Sequence, residues 1–294
     1  MKTTGTLKPF LKWAGGKSQL LDEIEKYYPS KIDKYCEPFV GGGAVLFDLL
    51  SKFQPKEVLI NDINPELTNC YTQIKNNVSD LIEVLSDWQE KYLASSPEER
   101  KSVYFEKRNR FNELIQTKEN TVEKAALMIY LNKTCFNGLY RVNAKGLFNV
   151  PSGVYKNPGI CQAETLQSVS KALQNVQIST GDYKQTQNFI DAKTFVYIDP
   201  PYRPLTQSAS FTSYAKDGFG DKEQVELGNF VSLIHGMGTK VLLSNSDPKN
   251  TDKNDNFFDD LYGAYEINRV HASRMINSKA NGRGEITELM VACL

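Results

Sequence analysis

Three short apolar runs constrain the fold more than anything else in this chain: Glu57-Val-Leu-Ile-Asn-Asp62, Thr194-Phe-Val-Tyr-Ile-Asp199 and Lys240-Val-Leu-Leu-Ser-Asn-Ser246. Each is short, rich in β-formers and without polar alternation, which suits a strand covered on both faces, as in a parallel sheet. Each also ends in a polar cluster, and open α/β sheets bind their ligands beyond the carboxyl ends of their strands. Helical patterns at 43–52, just before the first run, and 221–235, between the second and third, alternate with them, so a doubly wound α/β layer structure is expected. Runs at 266–272 and 288–294 are expected to close the sheet as antiparallel strands.

Residues 66–157 read differently, being long, mostly helical and without a buried-strand run. Leu81, Leu85, Trp88 and Tyr92 form one apolar helical stripe. Ser96-Pro97-Glu98-Glu99 supplies a capping Ser, a Pro in the first helical position and a Glu at the third, a clean helix start. Turn chemistry at Asn137-Gly138, Asn143-Ala-Lys-Gly146 and Pro151-Ser-Gly153 predicts a hairpin. The organisation expected is therefore a cofactor-binding and catalytic domain from residues 1–65 and 158–294, with a helical and hairpin subdomain inserted at 66–157.

With 40% apolar and 24% charged residues the 294-residue chain has an ordinary globular composition. It has no run of eighteen apolar residues and no apolar core near its start, so neither membrane nor export is indicated and a cytoplasmic location is expected. Five widely spaced cysteines (Cys36, Cys70, Cys135, Cys161, Cys293) argue for reduced thiols, with no disulfide framework and no metal site. Net charge is zero, but its distribution is uneven. Residues 1–21 hold Lys2, Lys8, Lys12 and Lys17 and no acid, and residues 124–163 hold Lys124, Lys133, Arg141, Lys145 and Lys156 and no acid. Acid-free stretches of this length suggest a surface facing phosphates.

Three motifs carry chemistry. Gly16-Lys17-Ser18 matches the end of a phosphate-binding loop, yet that loop needs a glycine where this chain has Leu11, so nucleotide hydrolysis is disfavoured. Cys36-Glu-Pro-Phe-Val-Gly-Gly-Gly43 runs from a short strand into glycines and a helix, and Asp62 follows nineteen residues after Gly43. A carboxylate there can accept from ribose hydroxyls, which points to a nucleoside cofactor. In Tyr197-Ile-Asp-Pro-Pro-Tyr202, Asp199 leaves a covered strand into two prolines that lack amide hydrogens and fix φ. The Asp199 carboxylate and the Pro200 carbonyl then make two acceptors for one amino group, beside an aromatic face on Tyr202.

These stretches, with Lys12-Trp-Ala-Gly-Gly-Lys17, Asn61-Asp-Ile-Asn64, Asn137-Gly-Leu-Tyr-Arg141, Phe148-Asn-Val-Pro151, Phe211-Thr-Ser-Tyr214 and Leu243-Ser-Asn245, occur in one order along the whole chain. The chain resembles the Dam-like DNA adenine methyltransferases of the alpha group, in which the cofactor motif precedes the target-recognition region and the catalytic motif follows it. The resemblance implies a Rossmann-like methyltransferase sheet, S-adenosylmethionine as methyl donor, a flipped-out adenine in double-stranded DNA as acceptor, and GATC as target. By the same resemblance Trp13, Lys17, Phe39, Gly41, Asp62 and Asp199 serve the cofactor, Lys17 as a carboxylate binder. Asp199, Pro200, Pro201 and Tyr202 serve catalysis. Lys12 and Arg141 read guanines, and Phe136, Asn137 and Leu139 enter the duplex. Val154 stands where the family often has Arg, which removes one cationic backbone contact.

Two acceptors on the adenine amino group would free its lone pair to attack the sulfonium methyl directly, with no covalent enzyme intermediate. The chain is expected to act as a monomer and to be encoded beside a cognate restriction endonuclease. Methylation of RNA or of a protein amide, and a non-catalytic DNA-binding module, are the competing readings.

Overall fold

The computed structural model describes residues 7–203, 219–273 and 285–294. Lys2 and the Phe211-Thr-Ser-Tyr214 motif lie outside them. Seven strands, β1 (Lys34–Glu37), β2 (Glu57–Asp62), β3 (Val176–Thr180), β4 (Thr194–Ile198), β5 (Lys240–Ser246), β6 (Glu266–Ser273) and β7 (Glu285–Cys293), run in the sheet order β3-β2-β1-β4-β5-β7-β6. The β1/β2, β1/β4 and β4/β5 pairs are parallel, whereas β7 is antiparallel to both β5 and β6. The helices are α1 (Leu21–Ile24), α2 (Ala44–Lys52), α3 (Pro65–Asn76), α4 (Val78–Ala94), α5 (Pro97–Thr117), α6 (Val122–Thr134), α7 (Ala163–Leu173), α8 (Asp221–Gly236) and α9 (Phe257–Leu261). This is the expected α/β class, and the three apolar runs are β2, β4 and β5. Val176-Gln-Ile-Ser-Thr180 was not expected as a strand, because its polar content and partial exposure suit an edge and carry no buried-strand signal.

Two compact units are distinguishable. The first comprises Met1–Gly16, Val40–Lys52 and Asn61–Asp182, and it contains the 66–157 segment. Asn64 caps α3 by accepting from the Glu66 and Leu67 amides, with Pro65 at the first helical position. The Ser96 capping box forms as the sequence predicts: Ser96 Oγ accepts from the Glu99 amide, and Glu99 Oε2 accepts from the Ser96 amide at 2.7 Å. Leu81, Leu85 and Tyr92 of the α4 stripe are buried, and α6 is buried from Lys124 to Asn132. Of the predicted hairpin the structure keeps the Asn143–Gly146 turn, closed by the Val142–Phe148 bridge, and a second bridge joins Cys135 to Ser152.

One cation of the acid-free stretch requires correction. Lys124 does not face phosphate: it is 1% exposed and its Nζ lies 3.0 Å from Glu66 Oε1. A buried ammonium needs an anionic partner, and here that partner comes from outside the stretch in which acids were counted.

The second unit comprises Lys17–Phe39, Phe53–Ile60 and Tyr183–Leu294. Its core packs Val196 and Ile198 of β4, Val241 and Leu243 of β5 and Leu289 and Val291 of β7 against Leu227, Val231 and Ile234 of α8. Burial of each such side chain contributes about 1.5–3 kcal/mol, enough in sum to hold the strand ends rigid. The five cysteines are free. Among the described residues no helix is long and apolar enough to cross a membrane, and no cluster of potential metal ligands occurs.

Candidate active site

In the first unit, the chain leaving β1 turns through glycine and presents its backbone to a carboxylate. Gly41 and Gly43 both have positive φ (+48° and +74°), a region that side chains disfavour. Space is as restrictive as conformation. A Cβ on Gly41 would sit 3.0 Å from the Trp13 ring, and one on Gly43 would sit 2.5 Å from the Tyr71 hydroxyl. Tyr71 donates to the Gly41 carbonyl at 2.9 Å, and Trp13 stacks on Tyr140 with centroids 5.5 Å apart.

Asp62, the last residue of β2, accepts from the Gly41 amide through Oδ2 (3.0 Å) and from the Asn64 amide through Oδ1 (2.9 Å). Burial pushes its carboxyl up to about 6, against the pull of amides from Asn64, Gly41 and Ile63. A carboxylate offers about four lone-pair sites, so these amides leave it able to accept from a hydroxyl. This residue set fits the ribose of a nucleoside cofactor.

In the second unit, Asp199 directly follows the wholly buried β4. Its Oδ1 lies 2.8 Å from Lys17 Nζ and accepts from Ser244 Oγ at 3.1 Å. With both partners on Oδ1, Oδ2 has no hydrogen-bond partner among the described residues. Ser244 in turn bonds the Tyr197 hydroxyl at 2.8 Å. Burial raises the Asp199 carboxyl, while Lys17 works in the other direction. Burial alone would lower the Lys17 ammonium, but Asp199, with Tyr197 and Glu288, outweighs it and holds the group above its ordinary value.

The prolines after Asp199 are braced from β5 and α8. Gln224 donates to the Pro201 carbonyl at 3.0 Å, and Asn245 donates to Gln224 at 3.1 Å. Arg203 continues the anchoring through ion pairs to Asp221 and, at 2.6 Å, to Asp255. Pro200 is buried, and Tyr202 sits at the surface with its hydroxyl accepting from Lys17 (2.8 Å) and donating to Glu288 (2.8 Å). Phe39, half-buried, contacts the rings of Tyr183 and Phe219.

The residues expected at DNA form one patch of the first unit. Asn132 on α6 is the clamp: its Nδ2 donates to the Lys12 and Gly138 carbonyls, and its Oδ1 accepts from the Lys12 amide. Phe136 is 53% exposed, and Asn137 takes a positive φ of 57° that asparagine tolerates. Leu139 is half-buried and Arg141 exposed. Arg141 donates to Asn149, to its side chain at 2.8 Å and its carbonyl at 3.2 Å, and among the described residues it forms no ion pair. Lys133 is a third kind of cation: burial, then Lys12 and Lys8, push its ammonium down to about 8. Val154 is almost fully exposed.

The structure thus brings Trp13, Gly41 and Asp62 together in one unit and Lys17, Asp199 and Tyr202 together in the other. Lys17, expected to bind a cofactor carboxylate, binds the carboxylate of Asp199. Sequence reasoning missed Glu288, Tyr71, Asn132 and Gln224. A signal existed for Glu288 alone, as a lone acid entering the apolar run Leu289-Met-Val-Ala-Cys293.

Comparison with known proteins adds an independent line. A family model described as D12 class N6 adenine-specific DNA methyltransferase matches residues 13–276. The Type II methyltransferase M.MjaIII of Methanocaldococcus jannaschii is 48% identical, over 97% of this chain and 98% of its own. The Type II methyltransferase M1.LlaDCHI of Lactococcus lactis subsp. cremoris is 40% identical over 97% and 95%. A DNA adenine methylase of Haemophilus influenzae is 36% identical over 96% and 92%.

Proposed function

Because the chain belongs to the D12 class N6 adenine-specific DNA methyltransferases, we propose that it methylates the exocyclic amino group of an adenine swung out of duplex DNA, within GATC, using S-adenosylmethionine. The observation that carries this reading is the asymmetric loading of Asp199. Lys17 and Ser244 both occupy Oδ1, which fixes the carboxylate plane and leaves Oδ2 as a directed acceptor.

When bound, S-adenosylmethionine would supply a sulfonium methyl whose carbon–sulfur bond breaks as the carbon–nitrogen bond forms, the sulfur leaving as the thioether S-adenosylhomocysteine and the surplus amino proton passing to solvent. The protein's share is positional. Asp62 accepts from a ribose hydroxyl, with Trp13 and the glycine turn shaping the wall beside it. Asp199 Oδ2 and the Pro200 carbonyl accept from the two amino hydrogens and draw the nitrogen lone pair out of the ring. The ion pair with Lys17 keeps Asp199 an acceptor despite its burial. Extruding the base costs a few kcal/mol, which contacts from Lys145 and Lys156 to the backbone offset. Arg141 and Lys12 are the proposed guanine readers, and Phe136, Asn137 and Leu139 the segment entering the duplex. The names of the Type II relatives support a partner restriction endonuclease in the same setting. The protein acts as a cytoplasmic monomer in this reading.

Transfer of labelled methyl from S-adenosylmethionine to duplexes with and without GATC tests it. Label is expected on adenine in the GATC duplex alone, and digestion with nucleases that differ in sensitivity to GATC methylation locates it. Equal labelling of both duplexes would remove the GATC assignment, and labelling of RNA in preference to DNA would remove the substrate. Arg141→Ala is expected to relax discrimination at one base pair by about 1–3 kcal/mol; a uniform loss across sequences would assign Arg141 to phosphate.

A further inference from the structure

Glu288 lies on β7, 86 residues from Tyr202 in sequence, and accepts the Tyr202 hydroxyl hydrogen at 2.8 Å. The same Oε2 atom lies 3.7 Å from Lys17 Nζ. Lys17 is 4% exposed and sits between two carboxylates, Asp199 at 2.8 Å and Glu288 at 3.7 Å, while the Tyr202 hydroxyl bridges it to Glu288. The ammonium also stands 4.8 Å from the centroid of the Tyr202 ring. Asp199, Tyr202 and Glu288, from the loop after β4 and from β7, therefore close a small network around the single positive charge of Lys17.

We infer that Glu288 is a positioning residue for methyl transfer, holding the Tyr202 ring by its hydroxyl and sharing the Lys17 charge so that Asp199 is not its sole counter-ion. The inference rests on the proposed reaction, in which Tyr202 offers its face to the base and Asp199 accepts from the amino group. Two consequences follow from the geometry. Without the Glu288 carboxylate the Tyr202 phenol loses its acceptor, and the ring regains rotational freedom at the end of a stiff proline loop. The Lys17 charge then weighs more heavily on Asp199, and a carboxylate more fully neutralised by an ammonium is a weaker acceptor for an amino hydrogen.

A double-mutant cycle on the full chain tests this, using Glu288→Ala, Glu288→Gln, Tyr202→Phe and the two double variants, each first checked for an unchanged melting temperature. Glu288→Ala is expected to lower kcat for a GATC duplex by about 10- to 100-fold, the effect of losing a hydrogen bond to a charged group, with the KM for S-adenosylmethionine changed less than about threefold. Glu288→Gln, which keeps an acceptor oxygen and loses the charge, is expected to fall between Glu288→Ala and wild type. In the Tyr202→Phe background the further loss from Glu288→Ala should shrink at least threefold, because the two residues act through one contact. Equal losses in both backgrounds would overturn the positioning role. An arm without turnover separates the two readings: with ¹³Cζ-tyrosine labelling, the resonance that disappears in Tyr202→Phe should shift in Glu288→Ala. An unshifted resonance with an active wild type would overturn the role of Glu288 alone, whereas an inactive wild type would overturn the reaction and this role together.

Discussion

Asp62 and Asp199 both stand at the carboxyl ends of parallel strands, and both are raised by burial, yet they are held by opposite kinds of partner. Asp62 is held by backbone amides, from Gly41 and Asn64, whose positions are set by a glycine turn and a helix start. Asp199 is held by side chains, the Lys17 ammonium and the Ser244 hydroxyl, both on one oxygen. Backbone amides are fixed dipoles that cannot withdraw, which suits a seat that grips the same group every time. A lysine and a serine can adjust by rotamer, which suits a carboxylate whose load changes as an amino group is engaged. In the proposed reaction the two aspartates divide binding from chemistry, and what surrounds each suits its share.

The largest expected effect tests the chemical half. Asp199→Ala should reduce methyl transfer by more than about a hundredfold, as expected for an interaction made in the transition state, while binding of the donor and of duplex stays measurable. Lys17 would retain Glu288 as a partner, so the variant is expected to fold. More than a tenth of wild-type turnover would break the comparison. Next in size, Asp62→Ala should weaken donor binding about 10- to 100-fold, the cost of losing a charged acceptor, with kcat at saturating donor near wild type. Titration calorimetry and saturation kinetics separate the two quantities, and a matching fall in kcat would make the aspartates alike.

Proton linkage gives a third, smaller effect. The Asp62 carboxyl moves from 3.8 to about 6 in the folded chain, so the folded state binds the proton more tightly than the unfolded one. Stability contributed by this group is therefore present at low pH and lost as pH rises through about 6. Donor affinity has the opposite sense, because only the ionised form is a full acceptor for the hydroxyl. It should be level above pH 7 and fall by up to about tenfold per unit below pH 6, as calorimetry from pH 5 to 8 would read. A flat profile would place the ribose elsewhere. The smallest effect sharpens the side-chain half. Ser244→Ala removes one neutral hydrogen bond to Asp199 and should lower kcat about 2- to 10-fold; no change would leave Lys17 as the one group orienting that carboxylate.

Much of this was legible along the chain because it is local. The covered strands β2, β4 and β5 announce themselves as short apolar runs, since a strand buried on both faces has no solvent-facing row to alternate with polar residues. The Ser96 capping box is a relation between residues three apart, and the stripe on α4 repeats every turn. The Asp199-Pro-Pro-Tyr202 segment carries its stiffness in its own covalent geometry. The resemblance to the adenine methyltransferases was likewise legible, because its motifs are contiguous. Lys124 shows where such reading fails: it opens a stretch, 124–163, that contains no acid, yet its ammonium is neutralised in space by Glu66, 58 residues away.

By itself, then, the sequence determined the α/β class, the strands that end in Asp62 and Asp199, and the family to which the chain belongs. Tertiary structure alone decided what those carboxylates touch. Lys17 meets Tyr202 across 185 residues, Glu288 meets Tyr202 across 86, and Asn132 meets Lys12 across 120. The physical reason is that periodicity and capping report forces within one element. Which side chains share a buried charge depends on strand order and on where each turn releases the chain, and no short window of residues contains either.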